Sequence, residues 1–191
     1  MSETDAPEPA PAPVAPTPTL LPEHVPLVAE LERLAATLRA EVLAVPATDY
    51  VAMPSRDRYS GDWRAVLFSV GPWEHEYPGV DFERNRRSCP TIASVLSRHP
   101  EVKLCGALSL GPGAVLQPHA DPRQDREIRV HLALALPPAE ADAWPVGTCR
   151  LLDVRQKHGA NNPGEEPRIT LVFDVLLDEV VPDGAVAPWP T

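Results

Sequence analysis

The stretch PGAVLQPHADPRQDREIRVHLALALP, residues 112–137, decides the fold. A turn built on glycine and proline opens it, a short apolar segment follows, and polar and apolar residues then alternate over a predicted strand, Ile128–Leu136. Since successive side chains of a strand point to opposite faces, Arg129 and His131 share one face and the apolar residues between them occupy the other. This alternation predicts a sheet with one apolar face and one face that carries polar groups.

The segments around this stretch also contain strand and helix patterns. Apolar residues at three- to four-residue steps predict a helix over about residues 26–44, and Pro90 suits the first turn of a second helix. Helices followed by short strands with turn signals predict a mainly β protein with flanking helices, built on a jelly-roll, cupin-like core. The other predicted strands are Ala65–Val70, Val102–Leu110, Ala114–Leu116, Thr148–Leu152 and Ile169–Leu176.

Composition divides the chain in two. Residues 1–22 are rich in proline and alanine and hold almost no large apolar side chain, so we expect a disordered tail before a single domain over residues 23–191. The net charge of -10 argues against a protein that binds nucleic acid or anionic membranes.

Two further features indicate the compartment. No stretch is long and apolar enough for a membrane span, and the acidic, proline-rich start is unlike a secretory signal. Three widely spaced cysteines without a C-x-x-C pair suggest buried, reduced thiols rather than disulfides or a thiolate zinc site. We therefore expect a cytoplasmic protein, with its oligomeric state open.

Three residues are candidate metal ligands. His119 and Asp121 lie two apart after a short strand, so both can reach one ion, and His158 can supply a third ligand from a neighbouring strand. Two imidazoles and one carboxylate on one face form the facial triad of non-haem Fe(II) oxygenases. A loop histidine beside a turn-forming Asp-Pro is the alternative interpretation of His119 and Asp121.

Basic residues near these candidates predict an anion site. Arg168 begins a predicted strand, and a planar guanidinium suits a carboxylate in two parallel hydrogen bonds. Burying the polar side chains of Arg129 and His131 on an inward face costs free energy unless each has a partner. An anionic cosubstrate beside the metal would be such a partner. An exposed sheet face for Arg129 and His131, and a surface ion pair of Arg168 with Glu165 or Glu166, remain open.

Residues 112–137, together with KHGANNPGEEPRITLVFDV (157–175), resemble the aspartyl/asparaginyl β-hydroxylase family of Fe(II)- and 2-oxoglutarate-dependent oxygenases, in particular its small bacterial members that hydroxylate free amino acids. The resemblance runs from about Tyr59 to Val175. It implies a double-stranded β-helix core with the metal at one mouth. Asp121 matches the bacterial branch, because the animal members that hydroxylate peptides have glycine there.

The resemblance also implies roles for individual residues. His119, Asp121 and His158 resemble the iron ligands, and Arg168 resembles the arginine that pairs with the distal carboxylate of 2-oxoglutarate. Arg129 and His131 fall on the R-x-H motif that lies against this cosubstrate. The implied reaction consumes O2, hydroxylates an unactivated C–H bond of a free, peptidyl or carrier-bound amino acid, and yields succinate and CO2.

The substrate is indicated only by residues near the predicted mouth of the core. Trp63 and Arg64, in the loop-rich region before the core, and Arg126, beside the metal motif, are candidates for binding an amino acid or peptide. Two other functions stay open. One is a cupin-type metal protein with different chemistry, an isomerase or a cosubstrate-independent dioxygenase. The other is a non-catalytic jelly-roll module that binds partners through the proline-rich tail.

Overall fold

A computed structural model describes residues 20–54, 56–121, 126–177 and 184–186. Residues 1–19 of the predicted tail lie outside the described residues, so a disordered tail followed by one domain stays a prediction. The described chain begins at Leu20, whose backbone N–H donates to the Ala185 carbonyl oxygen at 2.8 Å.

The described residues form two antiparallel sheets. The strands are β1 Val51–Ala52, β2 Tyr59–Ser60, β3 Trp63–Ser69, β4 Val102–Leu110, β5 Val115–His119, β6 Glu127–Ala135, β7 Cys149–Leu152, β8 His158–Asn161 and β9 Arg168–Leu176. A six-stranded sheet has the order β1-β3-β4-β9-β6-β7, and a three-stranded sheet has the order β2-β5-β8.

Each face of the large sheet has its own environment, as the alternation in β6 predicts. One face packs on helices and includes Val130 of β6 and Phe173 of β9, which are paired in register and fully buried. Burial of each such side chain contributes about 1.5–3 kcal/mol to the stability of the fold. The opposite face carries Arg129 and His131 and looks toward the small sheet. Two antiparallel sheets facing each other across a cavity confirm the predicted jelly roll.

The α-helices of the described residues are α1 Pro26–Ala44, α2 Phe82–Ser88, α3 Pro90–Arg98 and α4 Pro138–Ala141. Helices α1 and α3 cover the apolar face of the large sheet, whereas α2 packs on β3 in the cluster that contains Leu67. In α1 the apolar stripe of Leu27, Leu31 and Leu38 is fully buried, which confirms the helix predicted there. In the part of the chain that the structure describes, no helix has the length and apolar character needed to cross a bilayer.

Differences from the sequence prediction concern short elements. Helix α2 lies where a loop was expected, and Asp81 caps it by accepting a hydrogen bond from the Arg84 backbone N–H. Strand β5 runs on to His119, and β8 begins at His158 without an apolar pattern of its own. Strands this short are fixed by pairing with a neighbour rather than by periodicity.

Candidate active site

The three candidate metal ligands converge at one end of the small sheet. His119 ends β5, His158 begins β8, and the two residues are paired in register with their ring centroids 4.3 Å apart. Asp121 lies two residues after His119, and its backbone N–H donates to the Val154 carbonyl oxygen at 2.7 Å. One ligand atom from each of the three side chains lies within 4.8 Å of the others. The three side chains can therefore hold one ion.

Hydrogen bonds orient both imidazoles for metal binding. Nδ1 of His119 lies 2.9 Å from the Gln117 carbonyl oxygen, and Nδ1 of His158 lies 2.9 Å from that of Gln156. A carbonyl oxygen only accepts, so each Nδ1 carries the proton and each Nε2 keeps its lone pair for a metal. Burial lowers the pKa of His158, and nearby His119 and Arg129 add to this effect. The neutral form that binds a metal is thus the favoured form of His158.

Arg58 contacts the carboxylate of this triad. Its Nη1 donates to Asp121 Oδ1 at 2.9 Å, and its side chain is 42% exposed. The contact joins the segment before β2 to the segment after β5, which are 63 residues apart in sequence. One oxygen of Asp121 is therefore held by Arg58, and the other is not needed for that bond.

A cavity of about 210 Å³ lies beside the triad, between the two sheets. Its polar half carries the triad together with Arg58, Arg129, His131, Arg168 and Thr170. Its apolar half comes from β3, β4 and the loops near them: Met53, Trp63, Leu67, Tyr77, Leu104, Leu108 and Leu110. An apolar cavity with a few convergent polar groups is typical of a small-molecule site.

Arg129 enters this cavity already paired with a buried carboxylate. Its Nε and Nη2 donate to the two oxygens of Asp174, at 2.5 and 2.8 Å, and Asp174 is 1% exposed. Burial disfavours the charged guanidinium, but Asp174 outweighs it and raises the pKa of Arg129. The prediction that Arg129 needs a cosubstrate as its partner is wrong, because Asp174 fills that role. The inward position of Arg129 is confirmed.

Arg168 is held in the same way. Its Nε and Nη2 donate to the Glu140 carboxylate at 2.8 and 2.7 Å, and its guanidinium lies 5.8 Å from the centre of the Trp144 ring. The partner is a residue of α4 and not Glu165 or Glu166. Arg168 lines the cavity and Glu140 does not, so the carboxylate approaches the guanidinium from outside.

His131 lies on the cavity face between these charges. It is 8% exposed, and burial holds its pKa well below the ordinary value, an effect that Arg129 and Arg168 strengthen. His131 is therefore a neutral imidazole at physiological pH. It adds polarity to the cavity without adding charge.

Comparison with known proteins identifies the family. A model of the aspartyl/asparaginyl β-hydroxylases matches residues 32–177 of the 191-residue chain. The chain belongs to the aspartyl/asparaginyl β-hydroxylase family. The protein is accordingly an oxygenase that uses Fe(II) and 2-oxoglutarate, and its cluster of His119, Asp121 and His158 has the donor atoms that iron requires. A non-catalytic module no longer describes it.

Other comparisons are weaker. No curated protein matches the chain. A prolyl-4-hydroxylase from Pseudomonas putida is similar at 17% identity over 80% of this chain and 88% of that chain, with a TM-score of 0.43. The α-ketoglutarate-dependent epimerase SnoN of nogalamycin biosynthesis is similar at 17% identity over 83% and 77%, with a TM-score of 0.43. Likenesses at this level establish neither fold nor activity.

The residues predicted to bind substrate are distributed unevenly in this hydroxylase. Trp63 lines the cavity and meets Tyr59 edge to face, with ring centroids 5.2 Å apart. Arg64 is exposed, bonds Asp62 at 2.8 Å and is not part of the cavity wall. Arg126 is also exposed and outside the wall, and its Nη2 donates to the Leu177 carbonyl oxygen at 3.3 Å. The structure therefore brings only Trp63 to the site.

Sequence reasoning missed three charged residues of the hydroxylase site: Arg58, Glu140 and Asp174. Only the last of these had a detectable signal, since Asp174 interrupts the apolar strand that Arg168 begins. A buried carboxylate within such a strand indicates a cationic partner. Arg58 and Glu140 lie in loop-rich segments where charges are ordinary.

Proposed function

We propose that the protein hydroxylates an unactivated C–H bond of an amino acid, free or as part of a peptide or carrier-bound intermediate. In this proposal His119, Asp121 and His158 hold the iron, and Arg168 binds the distal carboxylate of 2-oxoglutarate. Arg129 and His131 lie beside the cosubstrate. The observation that carries the proposal is the convergence of three ligand atoms within 4.8 Å at a cavity that also contains two oriented arginines.

At the metal, the protein orients the side chains that act as ligands. The Gln117 and Gln156 carbonyl oxygens fix the proton of each imidazole on Nδ1, so both Nε2 atoms are available as ligands. Asp121 contributes one negative charge, and Arg58 holds one of its oxygens. Iron(II) bound at such a triad with 2-oxoglutarate supplies O2-dependent C–H hydroxylation, with succinate and CO2 as coproducts.

The charges of the cavity suit a dianion. Arg58, Arg129 and Arg168 are matched by three carboxylates, those of Asp121, Asp174 and Glu140. The described charged groups of the site therefore sum to zero, and a divalent metal would leave two positive charges. A dianionic cosubstrate balances these charges, and the paired arginines still offer N–H groups for hydrogen bonds.

The remaining wall near the triad is apolar. Leu116 and Leu152 face the cavity together with the apolar half, and neither can hydrogen-bond a water molecule through its side chain. Holding substrate and cosubstrate in a dry, fixed geometry is how a protein of this kind contributes to rate. None of the residues named needs to act as a general base.

The test is succinate formation by the purified protein with iron(II), ascorbate, 2-oxoglutarate and a panel of amino acids. We expect turnover that is abolished by Asp121→Ala and by Arg168→Ala, with Asp121→Ala also weakening Mn(II) binding in calorimetry. The matched controls are Glu83→Ala and Arg87→Ala, which remove an exposed ion pair on α2. Absence of both 2-oxoglutarate binding and turnover in the metal-loaded protein would contradict the proposal.

A further inference from the structure

We infer that the apolar half of the cavity is the subsite for the substrate's side chain, and that it selects an aliphatic side chain against an aspartate or asparagine side chain. This inference rests on the proposed function. It also departs from the substrates in the family's name, for reasons that lie in the cavity wall.

The large sheet itself separates the two halves. Strands β3 and β4 lie on one side of β9, and β6 lies on the other. Leu104 of β4 is paired with Asp174 of β9, which is paired in turn with Arg129 of β6. One row across the sheet thus passes from an aliphatic to a charged side chain, so a ligand anchored on the charged side extends over leucines.

These leucines retain accessible surface. Leu104 and Leu108 are half-buried although they lie on a central strand, and they pack against a fully buried cluster that includes Leu67. Met53 and Tyr77 cover the same cluster from the loops and are also half-buried. Apolar surface left open inside a cavity is buried when an apolar ligand binds, and that burial favours binding.

The charged side chains of the described wall lie in the polar half, where Thr170 Oγ1 is also buried without a hydrogen-bond partner. Arg58, Arg129 and Arg168 are each bonded to a carboxylate of the protein, and all three belong to the polar half. In the apolar half, the only side-chain polar atoms of the described wall are those of Trp63 and Tyr77, besides the thioether of Met53. A carboxylate or carboxamide placed over Leu104 and Leu108 would lose water without gaining a charged partner, which disfavours its binding.

A glycine of β4 lets the side chain of Leu67 pack closely against this strand. Gly106 lies between Leu104 and Leu108 on the cavity face of β4, and a Cβ built there would lie 2.9 Å from Cδ2 of Leu67. Any larger residue would force Leu67 to move and would fill part of the subsite. The side chain of Leu67 therefore lies over Gly106 and forms the cavity wall at this point.

The experiment uses leucine, asparagine and aspartate, whose side chains have nearly the same shape and differ in polarity. Binding of each, free and as the N-acetyl amide, is measured by calorimetry on the full chain loaded with Mn(II) and 2-oxoglutarate. Leucine, in at least one of the two forms, is expected to bind at least about tenfold more tightly than asparagine or aspartate. Equal or tighter binding of either polar probe overturns the inference, as does absence of leucine binding in both forms.

Variants locate the subsite. Leu104→Asn is expected to reduce the preference for leucine several-fold while the affinity for 2-oxoglutarate stays unchanged, and Gly106→Ala is expected to weaken leucine binding. The matched control is Leu43→Asn, which replaces a leucine of α1 that is 41% exposed and distant from the cavity wall. An unaltered leucine preference in a folded Leu104→Asn protein overturns the assignment to β4.

Failure of this inference is distinguishable from failure of the proposed function. If the wild-type protein does not bind 2-oxoglutarate, the proposed function fails. If it binds 2-oxoglutarate and forms succinate but prefers a polar probe, only the inference about the apolar half fails.

Discussion

Glu140 holds the guanidinium of Arg168 by its Nε–Nη2 edge, with hydrogen bonds of 2.8 and 2.7 Å, and Cζ of Arg168 lies over the Trp144 ring, 5.8 Å from its centre. A planar group held along one edge by two hydrogen bonds cannot rotate freely. Glu140 lies outside the cavity wall that Arg168 lines. Neither bond to Glu140 uses Nη1 of Arg168, so we propose that Glu140 positions this guanidinium for a ligand.

Glu140→Gln tests this arrangement. Because glutamine cannot accept two hydrogen bonds at once from the guanidinium edge, we expect the affinity for 2-oxoglutarate to fall about tenfold, or about 1.4 kcal/mol. The measurement is calorimetric binding to the Mn(II)-loaded protein. The matched control is Glu165→Gln, which removes an exposed charge near Arg168 in sequence without a contact to it.

A second ligand separates positioning from a general defect. The affinity for 2-oxopentanoate, which lacks the distal carboxylate, should be the same in Glu140→Gln and wild type. Tighter binding of 2-oxoglutarate in the variant would show instead that Glu140 competes with the cosubstrate for Arg168.

Gly159 controls the spacing of the strands that carry the two histidines. A Cβ at Gly159 would lie 2.8 Å from the Leu116 carbonyl oxygen and 3.3 Å from the Pro118 nitrogen, both of them backbone atoms of β5. Gly159→Ala must therefore push β8 away from β5. We expect a loss of about 2 kcal/mol in the free energy of unfolding and about tenfold weaker Mn(II) binding.

The control for this change is Gly79→Ala, since a Cβ there would contact nothing within 4 Å. Chemical denaturation and calorimetry measure the two effects. Metal affinity retained in a destabilised Gly159→Ala protein would mean that the ligands do not depend on this spacing.

His99 gives the fold a pH-dependent contribution far from the active site. Burial by itself lowers its pKa, but hydrogen bonds of 2.8 Å to Glu30 and 2.7 Å to Glu101 outweigh burial and raise the pKa. The stabilisation is therefore full below the ordinary pKa of histidine and is lost as the pH rises through the raised value. The pKa of Glu30 is lowered, mainly by its hydrogen bond with His99, so its contribution is lost as the pH falls through the lowered value.

We expect His99→Gln to destabilise the protein by about 1 kcal/mol more at about pH 5.5 than at about pH 8. Urea denaturation at both pH values measures the difference. His75→Gln, at an exposed histidine outside this cluster, is the control. A destabilisation independent of pH would show that the ion pairs contribute nothing.

The cysteines provide a chemical test of the core. Burial raises the pKa of Cys89 to about 11 and that of Cys149 to about 12, and it raises the pKa of Cys105 well above the ordinary value. Only the thiolate reacts, so a shift of two units slows modification about 100-fold.

We expect an aromatic disulfide reagent to titrate no thiol rapidly in the native protein and all three after unfolding. Rapid modification of a native thiol would place that residue in a segment that opens. The absence of any disulfide agrees with the sequence prediction, since all three cysteines are free and buried.

Local patterns in the sequence were sufficient to predict the longer helices and strands. The leucine spacing of α1 predicted the helix, and Val102–Leu110 has the bounds predicted for it. Alternation predicted that Arg129 and His131 share one face of their strand, and the structure places both residues in the cavity wall. These features depend on residues a few positions apart, so they can be predicted from the sequence.

The ion-pair partners in the site could be identified only from the tertiary structure. Asp121 meets Arg58 across 63 residues, Arg129 meets Asp174 across 45, and Arg168 meets Glu140 across 28. Carboxylates and arginines are numerous in this chain, and nothing in their spacing says which of them meet. The same holds for Arg64 and Arg126, which were plausible substrate residues by sequence but lie outside the cavity wall.

The sequence by itself thus determined the jelly roll, the candidate triad and the family, because periodicity and a short motif are local properties. Only the tertiary structure decided that the cavity has an aliphatic half beside a charge-balanced half. That division arises from the order of strands in the large sheet, where β4 and β6 lie on opposite sides of β9. Strand order is set by pairing between distant segments, and no local pattern encodes it.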